Sequence, residues 1–313
     1  LLTDGQVHIG FSKADVLSTE GVCRVFDADA DGMIPGEGAG LLLLKPYEAA
    51  IEDGDNIHAI ILGSAVNNDG HTIGLTVPGS QGQQDVLSHA LSAAGVHASD
   101  ITYLEAHGTG TSLGDPIEIQ AASRVYVADG AGRQQCGVGS VKSNIGHLMR
   151  AAGAASIIKV ILSLSHGKIP PTLNCTHPHP RFRFSESPFF PVRELTDWPD
   201  DPAHPRRAAV SAFGFGGTNA HVLLEAADST SPGRRPLPRP TFNRKHYKVG
   251  DPIVPLGRAA ISANDPSSSP LAGDVAAILD QIEAGLLSPA AAADLLRTGT
   301  AVNGEQRDAQ EHA

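Results

Sequence analysis

The sequence predicts a layered α/β fold. Between Val22 and about Ala227, short runs of β-branched and apolar residues alternate with helical stretches, which is the pattern of α/β domains. The run Ile57 to Val66 shows little alternation of apolar and polar residues, so it is typical of a strand covered on both faces. The stretch His147 to His166 is apolar on nearly every side. We therefore expect it in the middle of the fold, with layers above and below it.

The predicted strands follow from short apolar runs bounded by turn residues. They are Ala39 to Leu44, Ile57 to Val66, Ile101 to Glu105, Cys136 to Lys142, Ala208 to Ala212 and His221 to Glu225. The last two are joined by the turn Phe213 to Asn219, and the first follows a tight acidic turn.

Three helices are predicted between these strands. One covers Ser80 to Ala94 and is capped by Gly95, and another covers His147 to His166 and is ended by Gly167. A third begins at Asp115-Pro116-Ile117-Glu118, where the acid is the expected N-cap and the proline the first helical residue.

The composition argues against a nucleic-acid or membrane partner and favours a reducing compartment. The 313 residues include 23 Lys and Arg against 34 Asp and Glu, a net charge of −11 without a basic block, so no nucleic-acid partner is expected. The apolar run Ala154 to Leu164 is interrupted by Lys159 and is too short to span a bilayer, so no membrane partner is expected. The 3 cysteines are widely separated and form no disulfide framework, which favours a reducing cytoplasm.

The two ends of the chain differ from its body. Residue 1 is Leu and the two methionines are Met33 and Met149, so we expect the N-terminus to be a fragment boundary. Residues 228–273 are rich in Pro, Ser, Gly and Arg and indicate a linker, with a basic and aromatic patch at 240–247 expected to lie back on the domain surface. Residues 274–313 contain two short predicted helices, at 274–284 and 290–297. They are either a docking element or a solvent-exposed tail.

Two metal-site interpretations are weak. Asp27-Ala-Asp29-Ala-Asp31-Gly32 begins like a calcium loop, but its twelfth position is Gly38 where a bidentate Glu is required. His177 and His179 lie close to Cys175 but lack the spacing of a zinc site. A tight turn and a surface loop are the better interpretations, and no metal site is predicted.

Three Gly-rich loops follow predicted strands directly and carry the polar residues that chemistry needs. They are 105–111 (EAHGTGT), 142–147 (KSNIGH) and 213–219 (FGFGGTN). Glycine lets the backbone approach a ligand closely, and the end of a strand fixes where a side chain lies. Two imidazoles aimed at one point, from His107 and His147, are suited to stabilising negative charge on a carbonyl oxygen.

The sequence resembles the C-terminal half of a β-ketoacyl synthase, specifically the ketosynthase domain of a modular type I polyketide synthase. The matching stretches are FDADADGMIPGEGAGLLLLK (26–45), GSAVNNDGHTIGLTVP (63–78), LEAHGTGTSLGDPIE (104–118), VGSVKSNIGH (138–147), GKIPPTL (167–173) and VSAFGFGGTNAHVLLE (210–225). The resemblance implies a thiolase-like fold, in which two similar halves stack as a layered αβαβα sandwich. It also divides the chain into the end of the N-terminal half (1–45), the C-terminal half (46–227), the linker and the tail.

The resemblance implies an acyltransferase that performs a decarboxylative Claisen condensation of an acyl thioester with a malonyl-type extender. His107 and His147 match the two catalytic histidines, and Lys142 matches the lysine that supports the second electrostatically. Thr109 and Thr111 match residues of the phosphopantetheine channel, and Phe215 matches a gating aromatic. Asn144, Phe213 and Gly216 complete the expected substrate-binding set. No cofactor is expected to bind directly, since the substrates are carried on the phosphopantetheine of acyl carrier protein.

Two departures from the family pattern have consequences. No stretch resembles the Asp-Thr-Ala-Cys-Ser-Ser elbow that carries the nucleophile, and Cys23, Cys136 and Cys175 lack the helix N-terminus that lowers a thiol pKa. The nucleophile is therefore expected before residue 1, and the chain alone is expected to be incomplete for catalysis. Met149-Arg150 also stands where the family usually has Glu-Ala.

Two functional hypotheses follow. Either the chain supplies the histidine side of an active ketosynthase, or it is a noncatalytic carrier-protein-binding or subunit-docking component. The expected partners are acyl carrier protein, the missing N-terminal half and a second copy in the homodimer of an intact synthase. An isolated half sandwich would leave an apolar layer uncovered, so we expect this chain alone to be unstable or to associate.

Overall fold

A computed structural model describes residues 6–72, 78–201, 204–227 and 241. The chain divides into two compact units, residues 1–250 and 251–313, and all the described residues belong to the first. The predicted linker apart from residue 241, and the predicted helices of the tail, lie outside the described residues. None of the helices in the described ranges is long and apolar enough to cross a membrane.

The described part of the chain contains six α-helices and eight strands. The helices are α1 (Gln6–Lys13), α2 (Tyr47–Glu52), α3 (Ser80–Ala94), α4 (Gly114–Ala128), α5 (Lys142–Ile145) and α6 (Ala152–His166). The strands are β1 (Ala59–Asn68), β2 (Tyr103–Glu105), β3 (Cys136–Gly139), β4 (Lys168–Ile169), β5 (Phe189–Pro191), β6 (Thr196–Asp197), β7 (Arg207–Phe213) and β8 (Thr218–Ala226). Short 3₁₀ turns occupy Ala98–Asp100, Met149–Ala151, Pro180–Phe182 and Phe184–Glu186.

Six strands form one mixed sheet in the order β1-β8-β7-β2-β3-β5. β8 runs antiparallel to both of its neighbours, β1 and β7, whereas β7, β2, β3 and β5 are mutually parallel. In the centre of the sheet Leu104 pairs with Val138 on one side and Ala209 on the other. Because β2 and β3 are parallel neighbours, the loops that follow them leave the sheet at the same edge. β4 and β6 pair separately as a small ribbon.

Helices cover both faces of this sheet and create two cores. On one face, buried residues of α3 and α4 such as Leu87 and Ile119 join a cluster with Leu104 and Leu223. On the other face, Val160 and Leu164 of α6 pack in a second cluster with Val210, Leu224 and Trp198. The layers are therefore helices, sheet and helix, as expected for one half of the predicted sandwich.

The structure confirms the predicted bounds of α3, the glycines that end α3 and α6, and the pairing of β7 with β8. α3 has the predicted bounds, and Gly95 follows it with φ 65°, the left-handed conformation that glycine adopts without strain. Gly167 ends α6 in the same way, with φ 61°. β7 and β8 form the predicted hairpin around the turn at 213–219.

The predicted strand Ala39 to Leu44 is wrong for the described chain. The segment has no strand pairing, and Leu41 and Leu43 are 93% and 96% exposed. A strand forms only when its backbone groups find a partner in the ladder, and an apolar run cannot supply that partner by itself.

The expected coverage of two other elements is also wrong. β1 is an edge strand, and Val66 is 69% exposed, so it is not covered on both faces. α6 buries one face, but Leu162 on the other is 54% exposed. The open side of α6 lines a cavity of about 650 Å³ with residues 39–40 and the chain around Leu148, Pro170 and Leu195.

The bounds of β1, β2, β7 and β8 differ from the prediction by one to three residues, and three boundaries near the two histidines differ for reasons that the structure shows. β3 ends at Gly139 and Lys142 begins α5, because the chain turns at Ser140 toward the His107 loop. α6 begins at Ala152 rather than His147, because His147 pairs in a parallel bridge with Pro35 instead of joining a helix. α4 begins at Gly114, and Asp115 lies inside its first turn rather than at the N-cap.

Candidate active site

His107 stands on the loop that follows β2, and a buried carboxylate holds its backbone. The amides of His107 and Gly108 donate to the two oxygens of Glu118, at 2.7 and 2.8 Å. Glu118 lies in α4, which packs against the loop it holds. The two oxygens of Glu118 therefore fix the start of the loop.

The next two amides of the same loop are held by a second buried acid. Thr109 and Gly110 donate to one oxygen of Asp115 at 3.0 and 3.1 Å, and Phe26 donates to the other at 2.9 Å. Asp115 and Glu118 are one helical turn apart, so they present their carboxylates on one face of α4. Burial raises the pKa of Asp115 to about 6 and that of Glu118 to about 7, although the amide bonds oppose this change.

His147 is positioned by a distant part of the chain. Its amide donates to the Ile34 carbonyl at 2.7 Å, and its carbonyl accepts from the Gly36 amide at 2.9 Å. The approach is so close that a Cβ on Gly36 would lie 2.4 Å from the carbonyl oxygen of Ile145. Glycine at position 36 is therefore required for this contact.

The structure brings the two imidazoles together. The ring centroids of His107 and His147 are 5.5 Å apart, and the rings are nearly perpendicular at 82°. The Nδ1 atom of His107 accepts the Phe213 amide at 3.2 Å, and the Nδ1 atom of His147 accepts the Met149 amide at 2.9 Å. Because each Nδ1 accepts a bond, the ring proton of each neutral imidazole must be on Nε2.

Both imidazoles are held in the neutral form. Burial, followed by the positive charge of Lys142, lowers the pKa of His107 well below its ordinary value of 6.5. The same two causes lower the pKa of His147 to about 4. At neutral pH the pair therefore offers two neutral N–H donors.

Lys142 contacts the first histidine loop directly. Its side chain is buried, and its ammonium donates to the carbonyl oxygen of His107, while the ring of His147 receives only its electrostatic influence. Burial lowers the pKa of Lys142, and the carboxylates of Glu105 and Glu118 oppose that change.

Of the other predicted substrate-binding residues, Phe213 lies beside this pair. The Phe213 ring lies 5.7 Å from the His107 ring, and the Thr109 and Thr111 hydroxyls contact each other at 3.1 Å. Asn144 is exposed and donates to the Pro171 carbonyl at 3.5 Å.

The tip of the β7–β8 hairpin carries the remaining two predicted residues. Phe215 is 61% exposed and packs edge-on against Phe11, with ring centroids 5.8 Å apart. Gly216 has φ 105°, which L side chains rarely adopt, so the turn needs glycine there.

The three cysteines are unsuited to nucleophilic attack. All are buried and free. Burial is the main cause that raises the pKa of Cys23 to about 11, that of Cys175 to about 12 and that of Cys136 well above its ordinary value. A thiol with a raised pKa is almost entirely protonated at neutral pH, so it is a poor nucleophile.

The acidic turn contains the sole cluster of metal-ligand type among the described residues. Ligand atoms of Asp27, Asp29 and His177 lie within 4.8 Å of one another. The Asp27 carboxylate accepts the amides of Asp29 and His177 at 3.0 and 2.7 Å. These bonds account for the cluster as a tight turn tied to the 176–178 loop.

The sequence analysis did not predict that Asp115 and Glu118 hold the loop of His107. It also did not predict that the backbone amide of Met149 bonds to the ring of His147. The sequence pattern indicates only a helix start for the two acids, although acids spaced three residues apart and close behind a Gly-rich loop are a usable signal. Met149 acts through its backbone amide and has φ 53°, which its side chain does not reveal. Arg150 is exposed, so the solvent accommodates its charge.

The chain matches three family descriptions in succession. Residues 1–50 match "Beta-ketoacyl synthase, N-terminal domain", residues 58–176 match "Beta-ketoacyl synthase, C-terminal domain", and residues 178–245 match "Ketoacyl-synthetase C-terminal extension". Together with the layered sheet and the paired imidazoles, these matches show that the chain belongs to the β-ketoacyl synthase family, as part of a ketosynthase domain of the modular polyketide synthase type.

The similar proteins are large synthases. The chain is 44% identical over 247 residues to "Polyketide synthase PksN" of Bacillus subtilis, covering 74% of this chain and 4% of that protein. It is 45% identical over 218 residues to "Polyketide synthase PksL" of the same organism, covering 70% of this chain and 5% of that protein. The chain thus spans a small part of these relatives.

Solved structures agree with the thiolase-like fold. The ketosynthase from module 6 of the bacillaene synthase of Bacillus subtilis superposes with a TM-score of 0.71 at 44% identity, covering 73% of this chain and 41% of that one. An oxazolomycin ketosynthase domain of Streptomyces albus gives a TM-score of 0.70 at 40% identity, covering 76% and 41% of the respective chains.

Proposed function

We propose that this chain supplies the histidine side of a ketosynthase centre, which joins an acyl thioester to a malonyl-type extender carried on acyl carrier protein. One observation carries the proposal: two neutral imidazoles, 5.5 Å apart, each have Nδ1 bonded to a backbone amide. Their Nε2–H groups are therefore fixed as a pair of donors, which is the requirement for stabilising a developing oxyanion.

The reaction follows from where negative charge develops. The extender thioester loses its carboxylate as CO₂, and the electrons of that C–C bond pass to the α-carbon and the thioester oxygen. Donors from His107 and His147 stabilise this enolate oxygen. The α-carbon then attacks the acyl thioester carbonyl, the new C–C bond forms, and the sulfur that carried the acyl group leaves as a thiolate.

The sulfur that carries the acyl group comes from outside this chain. Its own cysteines are buried, and their pKa values are raised, chiefly by burial. Proximity and orientation accelerate a reaction only when both reactants are present. We therefore infer that the 313 residues need a cysteine elbow supplied by the N-terminal half of the fold to complete a cycle.

The remaining roles belong to the same proposal. Thr109 and Thr111 line the path of the phosphopantetheine, with Asn144, Phe213 and Gly216 near its end, while Phe215 gates the acyl pocket. Acyl carrier protein brings both substrates, and the intact ketosynthase is a cytoplasmic homodimer. No cofactor is bound directly.

The test uses the intact protein that carries this sequence together with its cysteine elbow. We expect His107→Ala and His147→Ala each to lower the rate of condensation by about 10²–10³-fold, the usual loss for one oxyanion donor. His97→Ala, at an exposed histidine paired with Asp129, is the matched control and should keep the wild-type rate. Full condensation activity in either active-site variant would overturn the proposal.

The noncatalytic alternative rests on the high thiol pKa values of the three cysteines. It predicts binding of acyl carrier protein without decarboxylation of its malonyl group. The intact protein should therefore be assayed for release of CO₂ from malonyl carrier protein. Release that depends on His107 and His147 supports the enzyme, whereas binding without release supports the alternative.

A further inference from the structure

The proposed mechanism does not use a second buried lysine of this region. Lys159 of α6 is 8% exposed. Its ammonium donates to the Glu105 carboxylate at 2.7 Å and to the Tyr103 hydroxyl at 2.8 Å. The Tyr103 hydroxyl in turn donates to the same oxygen of Glu105 at 2.8 Å, so the three groups form a closed triangle.

Glu105 connects the two histidine loops. It is the last residue of β2, two residues before His107, and it is fully buried. Its other oxygen accepts the amide of Val141 at 2.6 Å, immediately before Lys142 and α5, which leads to His147. One carboxylate therefore sets the distance between the segments that carry both imidazoles.

The two buried lysines have different partners. Lys142 is attracted by the carboxylates of Glu105 and Glu118, yet its ammonium is bonded to the neutral carbonyl oxygen of His107. The Glu105 carboxylate already has Lys159 as its ion-pair partner. A buried carboxylate without an ion-pair partner is very costly. Without Lys159, the ammonium of Lys142, which Glu105 already attracts, would therefore be drawn toward that carboxylate.

We propose that Lys159 and Glu105 are a positioning pair for the condensation centre. The pair holds the Glu105 carboxylate on the Val141 amide and leaves Lys142 on the carbonyl of His107, so that both imidazoles keep their geometry. The inference rests on the proposed condensation for its kinetic consequence. The position of Lys142 is a consequence that does not depend on any activity.

Three variants of the intact protein test the pair: Lys159→Met, Glu105→Gln and the double variant. Lys159→Met leaves the buried Glu105 carboxylate without a counter-ion, whereas the double variant is neutral and its amide oxygen can still accept the Val141 amide. Lys168→Met is the matched control. Lys159 and Lys168 both line the cavity beside α6, but Lys168 pairs with Asp197 at the surface.

We expect Lys159→Met to lower kcat for condensation at least about tenfold, with KM for the extender nearly unchanged, because misplacement of catalytic groups reduces kcat. The double variant should recover most of the lost rate. A purely structural ion pair would also be relieved in the double variant, so the change in kcat without a change in KM, together with the position of Lys142, distinguishes a positioning role from a structural one. Lys168→Met should behave as wild type.

Crystal structures of the variants provide the activity-independent measurement. In Lys159→Met the Lys142 ammonium should leave the His107 carbonyl for Glu105, and in the double variant it should return. An unmoved Lys142 with wild-type kcat in Lys159→Met would overturn the inference, as would a double variant as slow as the single one. If Lys159→Met does not fold, the double variant is compared with wild type. A rate close to that of wild type, with Lys142 on the His107 carbonyl, supports the inference. A slow rate or a displaced Lys142 overturns it. If wild type shows no condensation, the proposed function fails, and the position of Lys142 still decides the inference.

Discussion

The two histidine loops are built in different ways. On the His107 loop, four consecutive amides, from 107 to 110, donate to the carboxylates of Glu118 and Asp115. His147 instead pairs its backbone with Ile34 and Gly36, and its ring accepts the amide of Met149. One loop is held by charged side chains of the adjacent helix, and the other is held by backbone groups, mainly of a distant segment.

This difference shows which parts of the chain each imidazole depends on. The acceptors of the His107 loop lie within the region that matches the C-terminal domain of the family, whereas residues 34–36 lie within the region that matches the N-terminal domain. The proposed catalytic pair is therefore assembled across the two family regions. Changes in one region should displace one imidazole and leave the other in place.

The largest expected effect is on the His107 loop. Glu118→Ala removes the acceptor of two buried amides, each of which costs about 1–3 kcal/mol when left without a partner. We therefore expect the free energy of unfolding to fall by about 2–4 kcal/mol in chemical denaturation of the intact protein. Glu186→Ala, at an exposed acid paired with Arg183, is the control and should change it by less than about 0.5 kcal/mol.

The same variant also tests the comparison between the loops. The NMR signals of the His107 ring should move in Glu118→Ala, and those of the His147 ring should move much less. Equal movement of both rings would show that the two loops respond as one unit. Unchanged stability would contradict the assignment of Glu118 as the anchor of its loop.

A smaller effect is expected for Gly36→Ala. The new Cβ would lie 2.4 Å from the Ile145 carbonyl oxygen, so residue 36 must withdraw from its bond to His147. Overpacking of this kind costs about 1–3 kcal/mol. The His147 ring should move, the His107 ring should not, and condensation should slow. Gly10→Ala is the control, because a Cβ there meets no atom within 4 Å. A Gly36→Ala protein with wild-type stability and wild-type His147 signals would contradict the proposed dependence.

Sequence reasoning succeeded where local rules decide the structure. The bounds of α3 and the β7–β8 hairpin follow from periodicity, glycine and short-range pairing. The convergence of His107 and His147 was expected because each lies on a Gly-rich loop at the end of a strand and because the family resemblance pairs them. The structure adds the reason: β2 and β3 are parallel neighbours, so the loops that follow them share an edge. Each of these features depends on residues near one another in the chain or on one general property of parallel sheets.

Sequence reasoning failed where the structure depends on a contact with a distant part of the chain. The run at 39–44 has the composition of a strand, but pairing requires a neighbour. Asp115 resembles an N-cap in sequence, yet its carboxylate accepts the amides of Phe26, Thr109 and Gly110. Such bonds depend on tertiary contacts, which no pattern of residue types specifies.

The smallest expected effect is on the protonation of the imidazoles near neutral pH. The pKa of His147 is lowered to about 4 by burial and by Lys142, and that of His107 also lies well below 6.5. A proton added to Nδ1 of His147 would face the donating amide of Met149. We expect neither ring to show the large NMR shift of imidazole protonation between about pH 6 and 8, where an ordinary histidine with a pKa of about 6.5 titrates. His107→Gln and His147→Gln variants would assign the signals.

Glu118 should titrate inside that range and with the opposite sign from an ordinary paired carboxylate. Its pKa is raised, mainly by burial, from 4.5 to about 7, so the folded state holds the proton more tightly than the unfolded state. Its contribution to stability is therefore largest below pH 4.5 and is lost as the pH rises through about 7. We expect the free energy of unfolding to fall as the pH rises from about 4.5 to about 7. The part of this fall between about pH 6 and 7 should disappear in Glu118→Gln, because the contribution of Asp115 is complete by about pH 6, and it should remain in Glu186→Gln. If the free energy of unfolding of Glu118→Gln still changes near pH 7 and either imidazole titrates near 6.5, the change belongs to the histidines. The two imidazoles could then no longer be treated as a pair of neutral donors.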